Sequence, residues 1–550
     1  MVISSMSLLS TIRGFLARGH SARADAAPTL WADHPGQRDI RARYDLAQTT
    51  DENSRHWANA DNLSARAANN PFVRAVMRKR CRHEASNNPQ LKGMVKKLSR
   101  DLVGTGPRLQ LTTGHEAFDA FTTKHWRRWM KATRFVRKLR VNVLGRVNSG
   151  ESFNHFTTNP KLKTPCKLDM RPFEADRCAS PFENILDPRR VDGIDFDEFG
   201  NPAQYRVLNR HPGDMGPNQY DATWIPAEYV THWFTEDREE QLRGVPETHP
   251  SMSLFSSGRR FMLATVSAAE TAAMFGGVLE SDIPAGGEAQ PVDALAPVNL
   301  DRNTVMTLPE GWKLNQVDGK HPNDTFVAFR REIGKDTGQP LGMPVNIASG
   351  DSSDHNFASA RLDGQTYWSE IDVGREDCEL IIIEPCWHLW FAEFVLTETF
   401  LDWAASDAAH EDAGPENVEL EDAVALVADG EGYTWEWDGH PHVDPQKERN
   451  ASQTGIELGI TSTESEAAAE GRSAAMEMAK EAKLLGMTVE QFQRGKRIQR
   501  FGFDPTDPKA VAPGTTPANG GRGQRDDPED DLVPKKVRQR GAAVPAGGRA

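Results

Sequence analysis

Between Ser251 and Val278 the chain carries its longest helical pattern, and that stretch leaves few ways to pack it. Met252, Phe255, Phe261, Met262, Val266 and Met274 are among its larger apolar residues, and alanine and serine fill much of the rest. Its only charges are Arg259, Arg260 and Glu270. So few charges among so many small side chains suit tight packing against neighbouring helices. The chain contains no run of about 18 apolar residues, so no segment is expected to span a bilayer as a helix and no membrane partner is expected.

The remaining chain is split by charge. With 65 Lys+Arg and 79 Asp+Glu the 550 residues carry a net −14, which read as an average argues against nucleic acid. From Arg74 to Arg140, however, 18 basic residues face four acids, a local +14 that leaves −28 elsewhere. From Leu401 to His440 there are 12 acids and no Lys or Arg. Such segregation suits one face that attracts an acidic partner and another that repels it; a solvated basic helix pair beside an acidic surface is the plainer reading. Five scattered cysteines are too few for a disulfide framework and point to a reducing compartment. Arg13 and Arg18 interrupt the apolar residues near the N-terminus, so Met1 to Ala27 reads as an arm rather than an export signal.

The pattern along the chain is α+β. Asp51 to Arg100 is helical, with Trp57, Leu63, Ala67, Phe72 and Val76 recurring on it; Asn69-Asn70-Pro71 starts one helix and Asn87-Asn88-Pro89 separates the next. Arg108 to Leu111 reads as a strand and Phe118 to Val136 as a helix, with Trp126 and Trp129 forming a core stripe. Val141 to Trp233 reads as strands and turns. Ser281 to Pro297 reads as a loop, and strand character returns around Leu308 to Lys313. A further helix begins at Pro322-Asn323 and runs towards Ile333. Gly350 to Gln365 is polar and irregular, and Leu380 to Phe400 reads as a buried helix. A helix starts near Pro445 and ends at Gly459, and Thr461-Ser462-Thr463-Glu464 is a capping box opening a helix to about Leu485. Asp504 to Ala550 is expected to be disordered.

No catalytic set emerges. Asp195, Asp197 and Gly200 fit three positions of a calcium loop, but Phe199 and Arg206 stand where carboxylates are needed. His440, His442 and Asp444 lack a further ligand, and Cys386-Trp387-His388 lies in the most apolar segment. Gly104-Thr105-Gly106 has neither a third glycine nor a following helix. No catalytic residue, metal site or cofactor is expected.

Particular strings carry a resemblance. Arg43-Tyr44-Asp45-Leu46-Ala47-Gln48-Thr49-Thr50-Asp51-Glu52-Asn53, then His56-Trp57-Ala58-Asn59-Ala60-Asp61, resembles the opening of the lambda-type phage portal proteins. So do Asn87-Asn88 and Gly104-Thr105-Gly106-Pro107-Arg108-Leu109. Gln241-Leu242-Arg243-Gly244-Val245-Pro246, Leu308-Pro309-Glu310-Gly311, the run His355 to Arg361 and the run Val443 to Glu448 are similar to later motifs in the family's order. Phe357 and Ala358 depart from the family's Tyr and Ser, and His442 from its Trp.

The resemblance implies an α+β portal fold with wing, long-helix stem, small clip and helical crown, assembled as a dodecameric ring. Residues 1–45 would be an arm, 46–250 the wing, 251–279 the stem helix and 280–320 the clip. Residues 321–400 would hold the returning stem, the channel loop and a wing helix, 401–500 the acidic segment and crown, and 501–550 a disordered tail. Ser352, Ser353, His355, Asn356 and Arg361 would belong to the DNA-channel loop, and Arg78, Lys79, Arg80, Arg127 and Arg128 to an outward basic face. Implied partners are further copies of the chain, the terminase large subunit, major capsid and scaffold proteins, head-completion or adaptor proteins, and double-stranded DNA in transit. The implied location is the portal vertex of the virion, and the host cytoplasm during assembly. Two other readings are a sequence-independent DNA-binding protein acting off the capsid through residues 74–140, and a metal-dependent nuclease relying on Asp195 or His442.

Overall fold

The computed structural model describes residues 54–501, apart from 181–188, 215–220, 275–277, 282–311, 316–325, 354–355, 411–417, 441–444, 471 and 473. The expected N-terminal arm and disordered tail, the Leu308 turn, His355, His442 and Asp444 lie outside the described residues.

A one-turn helix α1 (Ala65–Ala68) precedes α2 (Pro71–Asn87) and α3 (Pro89–Val103). Asn70 Oδ1 accepts from the Phe72 and Val73 amides, and Asn88 Oδ1 from those of Gln90 and Leu91. Each cap satisfies donors that a first turn leaves open, and each is followed by a proline. α2 corrects the expected apolar stripe: Trp57, Leu63, Phe72 and Val76 are exposed, while the helix buries Arg74, Arg78, Cys81 and Glu84. The neighbouring sheets supply charged partners, so polarity rather than apolar area selects the inner face.

β1 (Arg108–Leu111) leads to α4 (Glu116–Thr133) and α5 (Phe135–Ser149). The long helix expected to Val136 therefore breaks at Arg134, which adopts φ +55°, and Val141 to Ser149 is helix rather than strand. β2 (Glu151–Thr158), β3 (Leu168–Phe173), β4 (Arg190–Val191), β5 (Ile194–Phe196), β6 (Pro202–Leu208), β7 (Ala222–Pro226) and β8 (Val230–Phe234) follow. They form an antiparallel sheet β3-β2-β8 and a meander β4-β5-β6-β7. The long helix α6 (Met252–Met274) then leaves the sheets. β9 (Val278–Ser281) pairs antiparallel with β10 (Trp312–Asn315), and α7 (Phe326–Gly338) returns along α6. Phe261 of α6 meets Phe326 and Phe329 of α7.

α8 (Val345–Ser349) and α9 (Phe357–Cys378) follow. The stretch read as irregular from Gly350 to Gln365 is helical from Phe357, because Asn356 caps it: its Oδ1 accepts from Ser359 N at 2.8 Å. A π turn at Glu379–Ile383 joins α9 to α10 (Glu384–Phe394), just ahead of Pro385, whose ring nitrogen cannot join the helical ladder. The buried segment expected to reach Phe400 turns before α11 (Glu398–Ala404). α12 (Leu420–Ala428) and β11 (Tyr433–Glu436) complete the main body, β11 pairing with β1.

The core joins α4 to α10. Trp126, Trp129, Trp387 and Trp390 are fully enclosed; Trp126 stacks on Trp129 at 4.8 Å and meets the Trp387 and Trp390 ring edges at 5.2 and 5.1 Å. Near the C-terminus lie α13 (Pro445–Glu457), α14 (Thr463–Ala469), α15 (Ala474–Leu484) and α16 (Val489–Phe501). The helix expected to run to Leu485 is thus divided. The reciprocal cap sits one residue later than expected, Ser465 N on Ser462 Oγ and Ser462 N on Ser465 Oγ.

Candidate functional site at the root of the long helix

The segment that feeds α6 contains Gln241-Leu242-Arg243-Gly244, and its polar groups converge on Glu151, the first residue of β2. The Glu151 side chain is wholly enclosed. Its carboxylate accepts from Arg243 Nε at 2.9 Å and Nη2 at 2.6 Å, from the Gly244 amide at 3.1 Å, and from Arg78 Nη2. His232 Nε2 lies 2.9 Å from its Oε2. Burial alone would raise the Glu151 carboxyl, but the Arg243 and Arg78 guanidiniums outweigh it and hold it well below the usual carboxylate range. Burial lowers His232, with Glu151 only partly opposing, so a neutral imidazole donating through Nε2–H fits the contact.

The cluster extends sideways. Arg74 pairs with Asp192 at 2.5 Å, and Arg243 also reaches Asp192 Oδ2 at 3.4 Å and the Cys178 carbonyl at 3.3 Å. Arg78 Nε donates to the Ser149 carbonyl at 3.1 Å. The backbones of Gly150, at φ +88°, and Gly244 pass so closely that a β-carbon on Gly244 would collide with the Gly150 carbonyl oxygen. Glycine is required at this crossing. Two turns into α6, Arg259 pairs with Glu84 of α2 at 3.1 Å. Ion pairs and backbone contact thus bind the start of the long helix to α2 and the β2 sheet.

A second junction holds the acid-rich segment. Asp438 accepts from Thr105 N at 2.5 Å and Thr105 Oγ1 at 2.7 Å, and pairs with Arg108. Gly104, at φ +51°, has no room for a β-carbon beside the Asp438 carboxylate. Tyr433 and Trp435 both donate to Glu384 at 2.6 Å. The acidic and basic blocks therefore meet through β1 and β11. Asp402, Asp407, Glu419, Glu421, Asp422, Asp429 and Glu431 remain exposed.

The expected site residues do not form one group. Ser352, Ser353, Asn356 and Arg361 are exposed; Asp351 Oδ1 accepts from the Ser353 amide at 3.0 Å, Asn356 is a helix cap and Arg361 lies in the second turn of α9. Lys79, Arg80 and Arg128 are exposed and Arg127 is half-buried. Arg78 corrects the expected outward face, because it is buried against Glu151. Asp197 Oδ1 accepts from the Phe199 and Asn201 amides at 2.9 and 2.7 Å, which makes that motif a turn. Cys386 is buried, and burial pushes its thiol up. His440 lies 2.9 Å from Asp372 and stacks on Trp368. Among the described residues, Glu174, Asp176 and His211 bring three metal-type ligand atoms together. Arg82 reaches both carboxylates, at 3.5 and 2.5 Å, and supplies the charge that a cation would. The sequence reading does not single out Glu151 and His232; the usable signals are an acid opening a strand directly after Gly150 and a glycine on each side of the crossing.

Over residues 50–375 the chain matches the lambda family of phage portal proteins, and it belongs to that family. The probable portal protein of Halomonas phage phiHAP-1 is 24% identical over 280 residues, 48% of this chain and 49% of that protein. The chain thus spans about half the length of the curated relative it matches. Among solved structures, the neck of a native GTA particle computed with C12 symmetry superposes with a TM-score of 0.39 at 12% identity, covering 73% of this chain and 94% of that one. The neck of an empty GTA particle computed with C6 symmetry gives 0.36 at 12% identity, covering 74% and 92%.

Proposed function

We propose that the chain is the subunit of a ring-shaped portal at one capsid vertex, through which double-stranded DNA is packaged and ejected. The structural observation that carries this reading, beside family membership, is the α6–α7 pair. Leu254, Phe261, Leu263 and Val266 of α6 and Val327 and Phe329 of α7 are all exposed in the single chain. Helices apolar on several sides are stable when neighbours cover them, and a closed ring of identical copies covers every one equally. In this assignment residues 46–250 are the wing, 251–279 the stem, 280–320 the clip, 321–400 the returning stem with the channel loop, and 401–500 the acidic segment and crown. Terminase and head-completion proteins dock on the ring, scaffold and capsid proteins surround it, and the role is structural rather than enzymatic.

A conduit for DNA has to guide the duplex without holding it. Each phosphate neutralised by Lys or Arg adds affinity, so a gripping channel would stall the motor. We assign the exposed acids of residues 401–440 to the channel or its crown mouth. Lys79, Arg80, Arg127 and Arg128 are assigned outward, and Ser352, Ser353, His355, Asn356 and Arg361 to the loop near DNA. Mass photometry of the purified protein tests the core of this reading. Particles of about twelve times the 61.0 kDa chain are expected, in line with a closed cyclic assembly. A monomer or dimer that shifts DNA at low salt would overturn it in favour of off-capsid DNA binding through residues 74–140.

A further inference from the structure

The last four helices, α13 to α16, have almost no interior of their own. Among their described residues only Ala474 and Ala482 are buried, whereas α3 alone buries seven residues. They hold 13, 7, 11 and 13 residues, and helices this short are marginal in water unless packing supports them. Leu458, Ile460, Leu484, Leu485 and Ile498 are exposed, Ile460 and Leu484 to 79% and 81%. In place of a core the helices surround an open groove of about 1560 Å³, with Ile456, Met478, Leu485 and Phe492 among its lining. Glu466, Glu470, Glu477 and Glu481 stand along it from the α14–α15 stretch. α16 is basic, with Arg494, Lys496, Arg497 and Arg500 against Glu490 alone. Arg494 and Ile498 lie four residues apart and share one exposed side of that helix.

We propose that these helices complete their core only against a second copy of the chain, the Ile498 side of α16 in one copy seating in the groove of the next. Ile498 then meets the apolar part of the groove, and the positive charge of α16 faces the glutamates of the α14–α15 stretch. A surface that carries both a feature and its complement joins head to tail, and contacts of that kind continue round a ring. The segment after α16 is poorly suited to fill the groove from within the chain. From Asp504 to Ala550 the sequence has one leucine, four valines and no Ile, Met, Phe, Trp or Tyr. Ordering of the four helices is then coupled to assembly, because the apolar area that offsets their conformational entropy is buried only between copies. The proposal rests on the portal reading for its supply of neighbouring copies.

Hydrogen–deuterium exchange of the full chain, separated by size into particles and single chains, tests this. In particles the amides of residues 445–501 should exchange on the order of a hundredfold more slowly than in single chains, while those of α10 stay slow in both. Leu485→Asp in the groove and Ile498→Asp on the seating side each replace a side chain already exposed in the single chain, where such changes are well tolerated. In particles each should speed exchange across residues 445–501 by about tenfold. Where dilution releases no single chains, these two variants decide the matter. Equal protection in particles and single chains overturns the proposal, and so does exchange left unchanged by both variants. Particles in which residues 445–501 are unprotected sink this proposal and leave the portal reading intact; a preparation of single chains alone sinks both.

Discussion

Two knots tie distant parts of this chain together, one of charges and one of rings. At the root of α6, Glu151 gathers Arg78, Arg243 and His232 inside the protein. Between α4 and α10, Trp126, Trp129, Trp387 and Trp390 stack and cross edge to face. The charge knot is directional, since Arg78, Arg243 and His232 share one carboxylate. The ring knot is additive, since each indole keeps several neighbours when one is lost. The charge knot also fixes where a helix points, whereas the ring knot mainly buries area.

This contrast can be broken experimentally. Glu151→Ala should be the most damaging substitution, since it removes the buried carboxylate that Arg78 and Arg243 share and leaves them only longer contacts to Asp176 and Asp192; a loss of about 4–5 kcal/mol, or failure to fold, is expected in chemical denaturation. If Glu151→Ala is milder than removal of one indole, the carboxylate is not the centre assigned to it. Trp387→Ala should cost about 3–4 kcal/mol through lost contact and a cavity, with the remaining rings still packed. Acidification has a smaller effect, one that acts on the charge knot and not on the four indoles. His232 is lowered by burial, so below its ordinary 6.5 the unfolded chain takes up a proton that the folded chain resists, and stability falls. Glu151 is lowered as well, so its contribution is present above the ordinary 4.5 and is lost further into acid, as pH falls through the folded value. Thermal unfolding followed from pH 8 to pH 4 should show this decline, and His232→Gln should flatten its upper part. An unchanged decline in that variant would remove His232 from the account.

Sequence and structure agree where the deciding signal is local. Asn70-Pro71 and Asn88-Pro89 announce α2 and α3, the small-residue stretch after Ser251 is α6, and Trp126 with Trp129 is core. Local signals also explain two misreadings. Arg134 takes a left-handed backbone without being glycine, which hides the break between α4 and α5. Asn356 opens a helix inside a polar run that reads as a loop unless the Asn-x-x-Ser cap is given weight. The pairings of the charge knot are not legible, because Arg78 and Arg243 lie 73 and 92 residues from Glu151, and no periodicity reports a pairing at that distance. The inverted polarity of α2 has the same cause. Its buried arginines look like a solvated face until the sheets that neutralise them are in place.

The crossing of Gly150 and Gly244 has a mechanical consequence. With no side chain between the two backbones, there is no compressible layer between the sheet and the segment that carries the long helix. Interiors this dense transmit displacement rather than absorb it. A displacement of the Gly244 segment that leads into α6 would therefore reach Gly150, and with it the end of α5 and the start of β2, with little slack.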